Sequence, residues 1–204
     1  EKLFGITFNE VFDIDKYHTD VQTFEVLDEN KNLVAIFYTD FFPRKGKRNG
    51  AWMTSFKPQY IKEGTNERPH VSNVCNFTPP TATKPSLLTF NEVTTLFHEF
   101  GHGLHGMLAN TTYPSLSGTS VFWDFVELPS QIMENWAKEK EGLDLFARHY
   151  ETNAPMPIEL LEKIKHAENF QKGWMSLRQL SFAWLDMSWY TTDPKDIQNV
   201  DAFE

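Results

Sequence analysis

The chain has 204 residues, 40% of them hydrophobic, enough for one sizeable core or two small ones. Its net charge of −9 is spread without any basic run, which argues against nucleic acid or an anionic membrane surface as partner. The one cysteine, Cys75, cannot make an internal disulfide, and no apolar run approaches the roughly 18 residues of a membrane span, so a reducing, cytoplasmic setting is expected.

Eighteen Phe, six Trp and six Tyr imply a large buried core, an apolar groove or a face covered by another surface. The sequence opens at Glu1 without a methionine and stops in "NVDAFE" without a cap or terminator. Both ends read as cut, which makes the chain a piece of a longer protein with no visible signal peptide.

In chain order, residues 21–56 read as strands: "VQTFEVLD", a polar "ENKN" turn, "LVAIFYTD", the basic loop "PRKGKRNG" and "AWMTSF", together a meander. A loop holding Pro58, Gly64 and Pro69 leads to a further strand, "HVSNVCNF". The Pro/Thr-rich "TPPTATKPS" that follows cannot be helical. From residue 89 the pattern is helical, opened by Thr89 and Glu92 as a capping box. Further helices are expected at about 123–140, 143–151, 157–169 and 171–191, with "NAPMP" as a break. There are no internal repeats and no linker long enough to divide the chain. The fold class is mainly α with a small β-sheet (α+β), with sheet and loops over 1–88 and helices over 89–204.

The first helix, "TFNEVTTLFHEFGHGLHGML", places Val93, Leu96, Phe97, Phe100, Leu104, Met107 and Leu108 on one broad face and His98, His102 and His105 on the other. His98 and His102, at i and i+4, can both reach one metal ion about 2.0–2.1 Å from each ring nitrogen. Glu99 points about 100° around the helix, where it can take a proton from water rather than ligate the metal. This is the H-E-x-x-H pattern of zinc peptidases, a hypothesis that needs context. Gly101, beside the ligand face, lets another backbone come close. His105 reads as a packing or hydrogen-bonding residue.

A catalytic zinc takes three protein ligands and keeps one position open. The long metzincin pattern would put its third His at Leu108, so the ligand must come from elsewhere. Residues 118–136, "GTSVFWDFVELPSQIMENW", offer Asp124, Glu127 and Glu134. Glu127 is preferred because its apolar surroundings demand a cation or hydrogen-bond partners for a carboxylate, and Pro129 should bend or start a helix near it. Glu134 reads better as a residue that supports the site or packs helices, and a plain surface charge remains the alternative for Glu127.

"FHEFGHGLHG" followed by "LSGTSVFWDFVELPSQIMENW" resembles the thimet oligopeptidase and peptidyl-dipeptidase family of zinc metallopeptidases. "YHTDVQTFEV", "FYTDFFPRKGKRNGAWM", "NVCNFTPPTATKPSLLTFNEV" and "ARHYETNAPMPIELLEKI" extend that resemblance over essentially the whole chain. It implies one Zn2+ per chain held by His98, His102 and Glu127, with Glu99 as the general base. It also implies a partial catalytic domain spanning 1–204, a zincin-like piece of a large helical body divided by a deep channel, whose N-terminal helical domain and C-terminal part lie outside this sequence. The implied substrates are short peptides, with dipeptides released from the C-terminus. The open alternatives are internal cleavage, as by an endo-acting oligopeptidase, and a non-catalytic zinc-stabilised domain. The family's oxyanion-stabilising segment would lie beyond residue 204, so this piece alone should be nearly inactive. The implied partners are short peptides and the missing parts of the parent chain. A bound peptide is expected along an edge strand, with "HVSNVCNF" the candidate and plain sheet core its equal alternative.

Overall fold

Residues 2–203 are described by a computed structural model, and they form two compact units, one ending at Pro155 and one beginning at Met156. In the first unit the strands are β1 (Thr7–Glu10), β2 (Gln22–Leu27), β3 (Leu33–Asp40), β4 (Trp52–Lys57) and β7 (His70–Val74), in the sheet order β1-β2-β3-β7-β4. A separate hairpin joins β5 (Tyr60–Lys62) to β6 (Thr65–Glu67). The sheet is not the expected meander. Strand β7 enters parallel to β3 and antiparallel to β4, so the later strand separates two earlier ones. Burial explains the order. Val71, Ser72, Asn73 and Val74 are all buried, whereas β4 exposes Ser55 and Phe56 and takes the rim. "HVSNVCNF" is therefore sheet core with its ladder positions paired on both sides, and the expectation of a peptide along it is corrected: the outer strands are β1 and β4.

Three polar anchors, Asp40 and Gln59 buried and Arg68 half-buried, fix the connections between strands. Asp40, at the end of β3, is 1% exposed and accepts hydrogen bonds from Arg44 (2.6 and 2.8 Å), Lys47 (3.0 Å) and Tyr17 (3.0 Å). The Lys47 ammonium also donates to the Phe42 carbonyl, so Arg44 and Lys47 tie the basic loop before β4 back to the end of β3. Burial alone would push the Asp40 carboxyl up, but the hydrogen bonds from Arg44, Lys47 and Tyr17 outweigh it and hold it at about 2. Arg68 donates to the carbonyls of Val34, Met107 and Ala109, joining β3 to the end of the first helix. Gln59 is fully buried and pairs with both the N–H and the C=O of Thr111.

That helix, α1 (Phe90–Met107), starts as the capping box requires: Thr89 Oγ1 accepts from Glu92 N, and Glu92 Oε2 accepts from Thr89 N. The other Glu92 oxygen accepts from Thr78, tying down the Pro/Thr-rich connector. Leu104 and Met107 pack into a core with Val26, Ala35, Phe37, Val71 and Met133. Leu108 lies just past the helix end and is 40% exposed, outside the apolar face on which the sequence had placed it.

Helix α2 (Trp123–Glu134) crosses α1 and ends in a 3-10 turn at Asn135–Ala137, which divides the expected 123–140 helix. Helix α3 (Lys140–Phe146) follows, slightly earlier than expected. The second unit holds α4 (Ile158–Glu168), α5 (Lys172–Thr191) and the short α6 (Val200–Phe203), whose Phe203 ring sits 4.7 Å from that of Trp189. Gln171, in the left-handed region at φ 54°, turns the chain between α4 and α5. No α5 residue is buried, and Trp184 and Tyr190 are 79% and 82% exposed, so the aromatic load divides between the first unit's core and open surface. Among the described residues no helix is long and apolar enough to cross a membrane.

Candidate metal centre

Helix α1 is covered on two sides, by the sheet and by α2, and the chemistry sits between them. Gly101 makes the second contact possible. A Cβ at this position would lie 2.5 Å from Ser130 Cα and 2.7 Å from the Pro129 carbonyl oxygen, so only glycine lets α2 come this close. Pro129 lies inside α2 rather than at its start; it removes one helical N–H, and Ser130 Oγ turns back to donate to the Glu127 carbonyl at 3.0 Å. The same hydroxyl donates to Glu127 Oε2 at 2.8 Å and so aims that carboxylate.

Glu127 Oε2 stands 3.2 Å from Nε2 of His98 and 3.2 Å from Nε2 of His102. The three donor atoms lie within 4.8 Å of one another, the one His/His/Glu cluster of this kind among the described residues. Asp124, in the first turn of the same helix, is not part of it. Oε1 of Glu134, the last residue of α2, lies in hydrogen-bond contact with Nδ1 of His98 at 2.8 Å. The ring of His105 packs edge-on against Phe125, 6.1 Å between centroids, away from the cluster.

The donor set suits a divalent cation. Ligands about 2.0–2.1 Å from a tetrahedral ion are themselves about 3.3 Å apart, close to the two 3.2 Å separations here. Two imidazole nitrogens aimed at one carboxylate oxygen are an electron-rich convergence that needs protons or a cation, and N/N/O donation is a zinc-type set. Burial holds the His102 imidazole below its ordinary pKa, which favours the neutral form a metal requires. The hydrogen bond from Ser130 holds Glu127 below the usual carboxylate range, with the facing histidines adding to it.

Glu99 is 6% exposed, which a reading of the helix as one polar face and one apolar face did not anticipate. Burial pushes its carboxyl up; the His98 imidazole opposes this and the Glu127 charge reinforces it. Its Oε2 has no hydrogen-bond partner. Glu99, His98, His102 and Glu127 line one open cleft of about 420 Å³, together with Ala51, Trp52 and Met53 at the start of β4. Cys75 is fully buried and its thiol is pushed up to about 12, chiefly by burial and further by the Glu99 charge, so it stays a protonated core residue.

A helix bearing H-E-x-x-H, packed on a mixed sheet and faced by a carboxylate from the following helix, is the kind of arrangement metallopeptidases use. The model of peptidase family M3 matches residues 1–203, and the chain belongs to that family. It is 47% identical over 204 residues to the dipeptidyl carboxypeptidase of Escherichia coli, covering 100% of this chain and 30% of that protein. Oligopeptidase A of the same organism is 48% identical over 188 residues, 91% of this chain and 28% of that protein. A thimet-like oligopeptidase of Dictyostelium discoideum is 37% identical over 204 residues, 98% of this chain and 30% of that protein. The chain thus spans less than a third of these relatives.

Proposed function

We propose that this chain is the metal-binding part of the catalytic domain of a zinc peptidase acting on short peptides, with release of C-terminal dipeptides as its mode. The observation that carries this reading is the convergence of His98, His102 and Glu127 on one point beside the buried carboxylate of Glu99. The three ligands would hold Zn2+, which when bound lowers the pKa of a water molecule and polarises a carbonyl oxygen.

The residues of the chain supply the rest. Glu99, which lines the cleft and whose carboxyl burial pushes up, accepts the proton of the attacking water and returns it to the departing amine. Glu127 stays ionised under Ser130. Strand β4 borders the cleft and is an outer strand, so a substrate in extended form can add to it by backbone hydrogen bonds that tolerate many side chains. The proposed setting is cytoplasmic.

In the full-length protein, Glu99→Gln is expected to keep zinc and lose turnover by at least about 10²-fold. Activity near that of the parent would remove Glu99 from the mechanism. The similarity to oligopeptidase A favours internal cleavage as the second reading. Mass analysis of digests of one peptide with a free and with an amidated C-terminus separates the two: dipeptide release fails on the amide, internal cleavage does not. Zinc without turnover of either would leave a zinc-stabilised domain.

A further inference from the structure

We propose that Glu134 is the positioning residue of the centre, fixing the tautomer and ring direction of His98 so that Nε2, not Nδ1, is the metal-binding nitrogen. This rests on the zinc-binding reading above. The two nitrogens of the His98 ring each face a different carboxylate of α2: Nδ1 is 2.8 Å from Glu134 Oε1, and Nε2 is 3.2 Å from Glu127 Oε2. An ionised carboxylate only accepts, so the Glu134 contact places the imidazole proton on Nδ1 and leaves a lone pair on Nε2, directed at Glu127 and His102. A ring held this way is a better ligand than a free one, because neither rotation nor tautomer exchange has to be overcome on binding.

The two histidines are not supported equally. His102 Nδ1 is buried without any hydrogen-bond partner, so beyond its Nε2 contact with Glu127 that ring has no second carboxylate to orient it. His98 is 27% exposed in its side chain and less confined, and it is the one that receives the carboxylate. The source of that carboxylate matters too. Glu127 and Glu134 are seven residues apart on α2, two helical turns, and so share a face against the i, i+4 pair of α1. One rigid helix therefore delivers a ligand and the group that orients a ligand on its neighbour. Any displacement of α2 is felt at both.

The competing account is that Glu134 only braces α2 against α1 by charge. Zinc affinity of the full-length protein, measured by competition with a chelating dye, decides between them when read beside the thermal unfolding of the metal-free form and the ring-nitrogen NMR shifts of His98. The expected result is a 10- to 100-fold loss of zinc affinity in Glu134→Ala, with His98 passing from the Nδ1–H form to a mixture of tautomers. Glu134→Gln, whose amide oxygen accepts the same N–H, recovers most of both. Zinc bound by Glu134→Ala as tightly as by the parent overturns the assignment. So does a Gln variant as weak as the Ala variant, with both losing thermal stability equally, which is the signature of a charge brace. A parent protein that binds no zinc overturns the metal-site reading itself, and this inference with it.

Discussion

Replacing Gly101 with alanine tests whether the approach of α2 to α1 sets the metal centre. The added methyl would stand 2.5 Å from Ser130 Cα and 2.7 Å from Pro129 O, both backbone atoms that cannot swing aside. Carbon atoms in contact prefer about 3.5–4.0 Å, so α2 must retreat by about 1 Å. Overpacking of this kind costs about 1–3 kcal/mol, against which alanine regains about 1 kcal/mol of helix propensity. The net loss of stability is therefore small. The effect on the site is not, because Glu127 lies two residues before Pro129 and is aimed by Ser130, the very residues displaced. Metal–ligand distances tolerate only about 0.2 Å. We expect zinc affinity to fall by about 10- to 100-fold and turnover of the full-length protein by about 10²-fold, with unfolding temperature changed by only a few degrees. Gly173→Ala is the control: a Cβ there meets nothing within 4 Å, so affinity should be unchanged. If Gly101→Ala binds zinc within twofold of the parent, the close helix crossing does not govern the ligand geometry.

Asp40→Asn leaves Arg44 and the buried Lys47 without their counter-charge and should cost about 3–5 kcal/mol at neutral pH, measured by denaturant unfolding. Because the folded-state pKa of Asp40 is depressed to about 2, its contribution of about 2–3 kcal/mol is complete above pH ~4 and is lost as pH falls through 4 towards 2. The gap between parent and variant should narrow over that window; a gap independent of pH would contradict the assignment. Arg68→Ala removes charged hydrogen bonds to the Val34, Met107 and Ala109 carbonyls and should cost about 2–3 kcal/mol, seen as an unfolding temperature lower by roughly 4–12 °C.

What could be read in advance was local. The capping box at Thr89 and Glu92 and the i, i+4 histidines depend on residues within a turn or two of one another, and the helices expected at about 157–169, after the "NAPMP" break, and 171–191 are found at Ile158–Glu168 and Lys172–Thr191. Strand order was not legible, because the parallel pairing of β3 with β7 joins residues more than thirty positions apart and leaves no mark on a period-2 pattern. Ser72 and Asn73, polar yet buried, hid the central position of β7. The strands β1, β5 and β6 are only 4, 3 and 3 residues long, too short for alternation to register. The burial of Glu99 was missed because a helix pattern marks one apolar face and cannot show which polar residues beside that face another element will cover. The link from Glu134 to His98 did have a signal, its seven-residue spacing from Glu127, but only once both are known to lie on one helix facing α1.

The ligand helix is also a poor helix on its own terms. It contains Gly101, Gly103 and Gly106, all buried, and each costs about 1 kcal/mol relative to alanine in an isolated helix. Each meets a different neighbour: α2, the Asn73 side chain, and Met53 with Val71. A synthetic peptide of residues 90–107 should accordingly be largely unstructured in water, its two histidines no better a chelator than any pair on a flexible chain. On the proposed reading, metal recognition belongs to the assembled unit rather than to the five-residue signature, so grafting H-E-x-x-H onto another helix would transfer the letters and leave the affinity behind.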